Sequence, residues 1–252
     1  MQRTSLLLII TLIAFSCSNP VLSPKLTHHE FIEINDPTTV DSTIEAAIKP
    51  YRDSISQTMN RVIGTSSATM TSFKPESPLS SFVADLIYDA GLKYLKAQGY
   101  TQPKVVALVN VRGLRSPMPK GDILMRNAYE IMPFENLMTA VLLNGEQMNK
   151  FFHIIAKENG DGLSGASFTL TKTGPTSIKI NNQPLKETEE YWVVTSDYIA
   201  EGGDGYTILK EASSIIITNI TIRDLIIEGI EAMTKKKQIV SPDTSVRITD
   251  AR

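Results

Sequence analysis

Cysteine, histidine and tryptophan are scarce: the chain of 252 residues holds one Cys, three His and one Trp. A single Cys excludes an intrachain disulfide. Neither charge sign is in excess, with 25 Lys and Arg against 27 Asp and Glu, for a net charge of −2. There is no basic surplus to hold nucleic acid and no acidic tail. The longest apolar run, Leu6 to Phe15 broken by Thr11, is too short to span a bilayer comfortably. Internal repeats and low-complexity segments are absent, as are a Gly-x-Ser-x-Gly elbow and a phosphate-binding P-loop.

The histidine shortage matters most for chemistry. A dinuclear metal hydrolase draws several His, Asp and Asn ligands from successive strand ends. Here His28 and His29 are adjacent in a proline-containing tether, and His153 stands beside Phe151 and Phe152 at helical spacing. No Asp-x-His, Gly-Asn-His or His-x-x-x-His occurs. A metal centre built by this chain alone is not expected, and no cofactor or catalytic residue is assigned to it.

What is present begins with Met1-Gln2-Arg3-Thr4, the apolar run and then Ser16-Cys17-Ser18. A positive start, an apolar stretch of about ten residues and small boundary residues describe a secretory leader. Ala14-Phe15-Ser16-Cys17 resembles a bacterial lipoprotein box, with Ala14 where Leu is usual. The expectation is a signal peptide over 1–17 ending at a lipidated Cys17, a tether over 18–40, and one folded domain over 41–252. The mature chain would be exported and held by acyl chains alone, facing the periplasm or the cell surface. The alternative is a plain signal peptide with an incidental Cys.

Within the domain, Asp41-Ser42 caps a helix with Ile44, Ile48, Tyr51, Ile55 and Met59 at helical spacing, containing Pro50 and ended by Gly64. Thr65 to Ser72 reads as a short polar strand or loop. A second helix is expected over 78–97. Lys104 to Val109 is a continuous apolar run, hence a buried strand. Asp122 is expected to cap a short helix through Asn127 and Tyr129. A strand over 137–143, a helix over 146–157, hairpin arms over 167–171 and 177–180, a turn at Asn181-Asn182 before the next segment, and a strand at Tyr191 to Thr195 follow. A strand over 214–218, a helix over 222–233 and a last edge strand over 245–248 complete the order. Helices interleaved with buried and hairpin strands predict an α/β fold of α+β type, a single domain with a mixed β-sheet flanked by helices.

Several groups suit a planar, hydroxylated ligand. Arg112 and Arg115 follow the buried strand, where a guanidinium reaches a phosphate or a sugar. Phe134 follows Pro133 on a turn, and Tyr198 follows the Tyr191 strand. Asp204 lies among three glycines, Gly202, Gly203 and Gly205, where it could accept bonds from ribose hydroxyls. Two aromatics on separate loops can sandwich a base, each stack being worth roughly 1–3 kcal/mol. Core packing accounts for Phe134 and Tyr198 equally well, and a self-capped turn accounts for Asp204.

Four segments add a resemblance. They are Glu76-Ser77-Pro78-Leu79-Ser80-Ser81-Phe82-Val83-Ala84-Asp85, Asn110-Val111-Arg112-Gly113-Leu114-Arg115, Tyr129-Glu130-Ile131-Met132-Pro133-Phe134-Glu135-Asn136 and Tyr198 through Tyr206. In order and spacing, over about residues 45–250, the chain resembles the C-terminal, substrate-binding domain of the 5′-nucleotidase family. The resemblance implies base stacking by Phe134 and Tyr198, ribose contact by Asp204, and polar or phosphate contact by Asn110 and Arg115. It departs from the family where Val111 and Arg112 replace two loop glycines, where Tyr198 replaces Phe, and where Phe73-Lys74-Pro75 stand in place of a further Arg.

The family's metals and catalytic dyad belong to an N-terminal metallophosphatase domain, which about 40 residues cannot encode, a domain needing at least about 50. The expected function is therefore the nucleotide- or nucleoside-binding specificity domain of an exported phosphohydrolase in nucleotide catabolism. Divalent metals would be supplied by a separate metallophosphatase partner. Whether the chain counts as an enzyme stays open. The alternatives are a periplasmic nucleotide-binding lipoprotein without hydrolase activity and a scaffold whose site has decayed.

Overall fold

The computed structural model describes residues 40–252. Cys17, the His28-His29 pair and nearly all of the tether lie outside the described residues. The chain divides into two units between Ile48 and Lys49. In the first, the Asp41 carboxylate caps the start of a helix by accepting the Thr43 N–H at 2.8 Å and the Ile44 N–H at 3.2 Å.

The elements run α1 (Ser42–Met59), β1 (Val62–Ser66), α2 (Pro78–Ala97), β2 (Val105–Val109), β3 (Gly121–Leu124), α3 (Met125–Ile131), β4 (Leu137–Asn144), α4 (Gly145–Lys157), β5 (Gly162–Ser164), β6 (Ala166–Thr171), β7 (Gly174–Ile180), β8 (Gln183–Pro184), β9 (Glu190–Ser196), α5 (Asp197–Ala200), β10 (Ser214–Thr221), α6 (Ile222–Lys235) and β11 (Ile248–Asp250). The expected mixed architecture is present. A central five-stranded sheet has the order β10-β4-β9-β2-β5. Within it only β2 and β9 are parallel neighbours; the other pairs are antiparallel. A four-stranded sheet, β11-β6-β7-β8, and the pair β1-β3 complete the described strands.

The inner strands β2 and β9 are buried on both faces, which is why they read as unbroken apolar runs, whereas the edge strand β10 leaves Ile215 and Ile217 exposed. Val105, Ala107, Val109, Ala140, Trp192 and Val194 belong to one core with Leu79, Val83 and Ile87 of α2 and Ile226 and Ile230 of α6. Val106, Leu108, Val141, Leu143 and Val193 belong to a second core with Met148, Phe151, Phe152 and Ile155 of α4. Helix α2 starts where its sequence says it should. Ser77 and Ser80 form a reciprocal capping box, and Pro78 takes the first turn, where its missing N–H costs nothing. Glu76, just before it, anchors the chain's end by accepting the N–H groups of Arg247 and Ile248 at 2.9 and 3.0 Å.

Three local expectations are corrected. Helix α1 ends at Met59, and Gly64 lies inside β1; a Cβ there would sit 2.5 Å from Ile230 Cγ2 and 2.8 Å from Thr234 Oγ1. Gly64 thus permits a strand to cross α6 closely and does not stop a helix. None of the residues of α1 is buried, so its apolar positions line no core. Asp122 caps nothing: it lies in β3, paired with Thr65 of β1. Helix α3 starts at Met125, with the Asn127 side chain accepting the Leu124 N–H at 2.9 Å. The last strand is Ile248–Asp250, set parallel to β6. These errors share a cause, since pairing between distant segments overrides local signals.

Candidate functional site

Strand direction gathers the site. Because β2 and β9 are parallel, their carboxyl ends open on one edge of the sheet, delivering Asn110 and Tyr198 side by side. Strand β4 is antiparallel to β9, with Met138 opposite Ser196. Its amino end, and so the Phe134-Glu135-Asn136 turn, therefore reaches the same edge. Strand β10 is antiparallel to β4, with Thr221 opposite Leu137, which starts α6 there. Ligand crevices of open α/β sheets form at such strand ends.

A cavity of about 390 Å³ lies at this edge, and all six expected site residues line it: Asn110, Arg112, Arg115, Phe134, Tyr198 and Asp204. Phe134 and Tyr198 are 44% and 48% exposed. They are therefore not core side chains, which removes the packing alternative for both. Beneath them the floor is apolar, from Ile87, Val109, Met132 and Ile222.

Each wall is held from behind. The Arg223 guanidinium, buried beneath the site, pairs with the Glu135 carboxylate and lies 4.2 Å from the Tyr129 ring centroid. That fixes the turn next to Phe134 while leaving the ring outside. Asn136 Nδ2 donates to Asp197 Oδ1 at 3.0 Å, joining this turn to the start of α5. On the opposite wall, Gly203 lets Tyr198 lie flat: a Cβ there would meet the Tyr198 carbonyl at 2.5 Å and its ring at 2.6 Å. Asp204 adopts φ 49°, a left-handed conformation that Asp tolerates better than most residues.

Asp204 is already partly engaged. Its Oδ2 accepts Asn110 Nδ2 at 2.7 Å and its Oδ1 accepts the Tyr198 hydroxyl at 3.0 Å. The Tyr198 hydroxyl thus ties this exposed ring to the acid. Each carboxylate oxygen keeps acceptor capacity for a further donor. Gly113 makes room for Asn110, whose Oδ1 would be 2.7 Å from a Cβ at 113. Arg112 and Arg115 sit on and just after the 3-10 turn Val111–Gly113, exposed and directed at the cavity. Among the described residues the Arg115 side chain donates one weak hydrogen bond, 3.4 Å to the Arg112 carbonyl, and so can turn towards an anion.

Sequence reasoning missed Asn136 and Ser196, which also line the cavity, and the buried Asp161 beneath it. Asn136 lay inside a quoted motif and had a signal. Asp161 had only a Gly-Asp-Gly turn to mark it. His153 is exposed on α4, bonded through Nδ1 to the Asn149 carbonyl, and does not line this cavity. Among the described residues no group of three or more His, Cys, Asp or Glu could hold a metal ion. No described helix is long and apolar enough to cross a membrane.

Residues 58–211 match the family described as 5′-nucleotidase, C-terminal domain. A trifunctional nucleotide phosphoesterase of Bacillus subtilis is 28% identical over 154 residues, 55% of this chain and 10% of that protein. A 5′-nucleotidase-related protein of Glossina morsitans morsitans is 24% identical over 234 residues, 83% of this chain and 41% of that protein. Among solved structures, a 5′-nucleotidase precursor from Thermus thermophilus superposes with a TM-score of 0.61 at 24% identity, over 82% of this chain and 43% of that one. A putative 5′-nucleotidase from Staphylococcus aureus gives 0.63 at 14% identity. These two confirm the fold. The chain spans less than half the length of each of these relatives.

Proposed function

Because this chain belongs to the 5′-nucleotidase C-terminal domain family, we propose that its cavity binds nucleotides or nucleosides and presents them to a metallophosphatase on a separate polypeptide. The observation that carries this is the pairing of two exposed aromatics, Phe134 and Tyr198, in one cavity with two arginines and the Asn110–Asp204 pair. In this reading a base inserts between the aromatic rings, whose faces are available without displacing core side chains. The ribose hydroxyls donate to Asp204. A phosphate meets Arg112 and Arg115, the guanidinium geometry suiting its oxygens.

Divalent metals would act in the partner, where they would polarise the phosphoryl group and activate water. This chain's own residues bind, orient and shield the nucleoside. Export and lipid anchoring at Cys17 belong to the same proposal and are supported by the leader-like run before that residue. Replacing Cys17 by Ser should abolish incorporation of labelled palmitate.

The test uses the full chain. Calorimetry should detect binding of AMP, while AMP incubated with the chain and Mn²⁺ or Zn²⁺ releases no phosphate. Adding a metallophosphatase domain that lacks its own C-terminal half should start the reaction. Metal-dependent phosphate release by the purified chain alone would refute the division of labour.

A further inference from the structure

Beneath the cavity the chain buries one carboxylate that the binding chemistry above does not use. Asp161 is 1% exposed and stands just before Gly162, which pairs with Val109 across the β2–β5 ladder. Its Oδ1 accepts the Val111 N–H at 2.8 Å, and its Oδ2 accepts the Tyr206 hydroxyl at 2.6 Å. The Lys74 ammonium lies 3.5 Å from Oδ1 and itself donates to the Glu158 carbonyl at 2.5 Å. Three chain segments, far apart in sequence, thus converge on one side chain.

Two of those segments are the walls of the site. Val111 opens the turn that carries Arg112 and leads to Arg115. Tyr206 closes the turn that carries Asp204. Above, the same walls meet again through the 2.7 Å bond from Asn110 to Asp204. Asp161 does not line the cavity, so it touches no ligand there. Burial favours its neutral form, opposed by its bonds to Tyr206 and Val111 and by the nearby Lys74.

We propose that Asp161 is a positioning residue that sets the spacing between the arginine turn and the Asp204 turn, and so tunes nucleotide affinity without contacting the nucleotide. This rests on the nucleotide-binding reading of the cavity. A carboxylate is suited to the task because it accepts from both walls at once, and each bond to a charged acceptor exceeds a neutral one. A carboxylate serving stability alone would hold the same partners but leave affinity untouched when altered.

Two near-isosteric variants separate these roles. Asp161→Asn keeps an acceptor for Val111 but turns an amide donor towards Tyr206 and removes the charge facing Lys74. Tyr206→Phe removes only the hydroxyl and keeps the buried ring, 5.7 Å from that of Phe151. AMP binding is measured by calorimetry on the full chain, with a thermal melt of the ligand-free protein for each variant. The expected result is a loss of affinity on the order of tenfold for each variant, the size of a lost charge-assisted bond. The double variant should be little worse than the weaker-binding single one, because both act through one link. A lowered Tm with affinity within about twofold of wild type would overturn the proposal, as would additive losses. Should Asp161→Asn not fold, Tyr206→Phe decides by the same affinity criterion. Failure of the wild type to bind AMP or adenosine refutes the nucleotide reading and this proposal together, whereas a wild type that binds and two variants that keep its affinity refute this proposal alone.

Discussion

Truncating Phe134 tests the site at its most exposed point. The ring is 44% exposed and lines the cavity, while the turn beneath it is held independently by Glu135 with Arg223 and by Asn136 with Asp197. Phe134→Ala should therefore leave the backbone in place. A fully buried Phe→Ala costs about 3–5 kcal/mol; with nearly half the residue in solvent, the folding cost should be about 2 kcal/mol. Binding is affected differently. One stack on a base is worth roughly 1–3 kcal/mol, which at 1.4 kcal/mol per decade lowers affinity by about 5- to 150-fold. The loss should be the same for AMP and adenosine, because in the proposed arrangement the ring meets the base and not the phosphate. Calorimetry of both ligands against wild type and variant measures it, with a thermal melt to confirm folding. A folded Phe134→Ala protein that binds AMP with wild-type affinity would refute base stacking at this residue.

Arg115→Ala should weaken AMP by about tenfold and leave adenosine nearly unchanged, since one charge-assisted contact is lost; equal loss for both ligands would remove the phosphate assignment. Gly203→Ala places a Cβ 2.5 Å from the Tyr198 carbonyl and 2.6 Å from its ring, so affinity should fall more than tenfold. Gly205→Ala, at φ 85° with open space around it, should cost only about 1–2 kcal/mol of stability, read by denaturant titration. Phe152→Ala, in the core under α4, should cost about 3–5 kcal/mol and lower Tm by roughly 10 °C. Hydrogen bonds from Ser245 and the neighbouring Arg247 hold the Asp243 carboxyl down to about 2. Its contribution is present above the unfolded value near 4 and disappears as pH falls towards 2. Acid titration of Asp243→Asn should accordingly show a shallower stability loss between about pH 4 and 2 than wild type.

Much of the site was legible because its chemistry is local. Glycines beside an acid, a Pro-Phe turn and two arginines after an apolar strand are readable as residue types at short spacing, and those positions all line one cavity. The Ser77-Pro78 start of α2 and the all-apolar β2 were equally plain. The boundary of α1, the strand at Asp122 and the last strand were not, because β1–β3 and β6–β11 exist only as pairings across many residues.

The amino-acid sequence by itself determined that β2 and β9 are buried strands, where α2 begins, and where aromatic, acidic and guanidinium groups stand at short spacing. Short-range sterics, capping and hydrophobic patterning fix those, and they are written within a few residues of each position. Only the tertiary structure decided that Phe134 and Tyr198 stand outside the core, that Gly64 and Gly203 are required for close approach, and that Asp161 joins the two walls. Each of these depends on which distant segment lies alongside, and that is set by the direction and order of strands in the sheet.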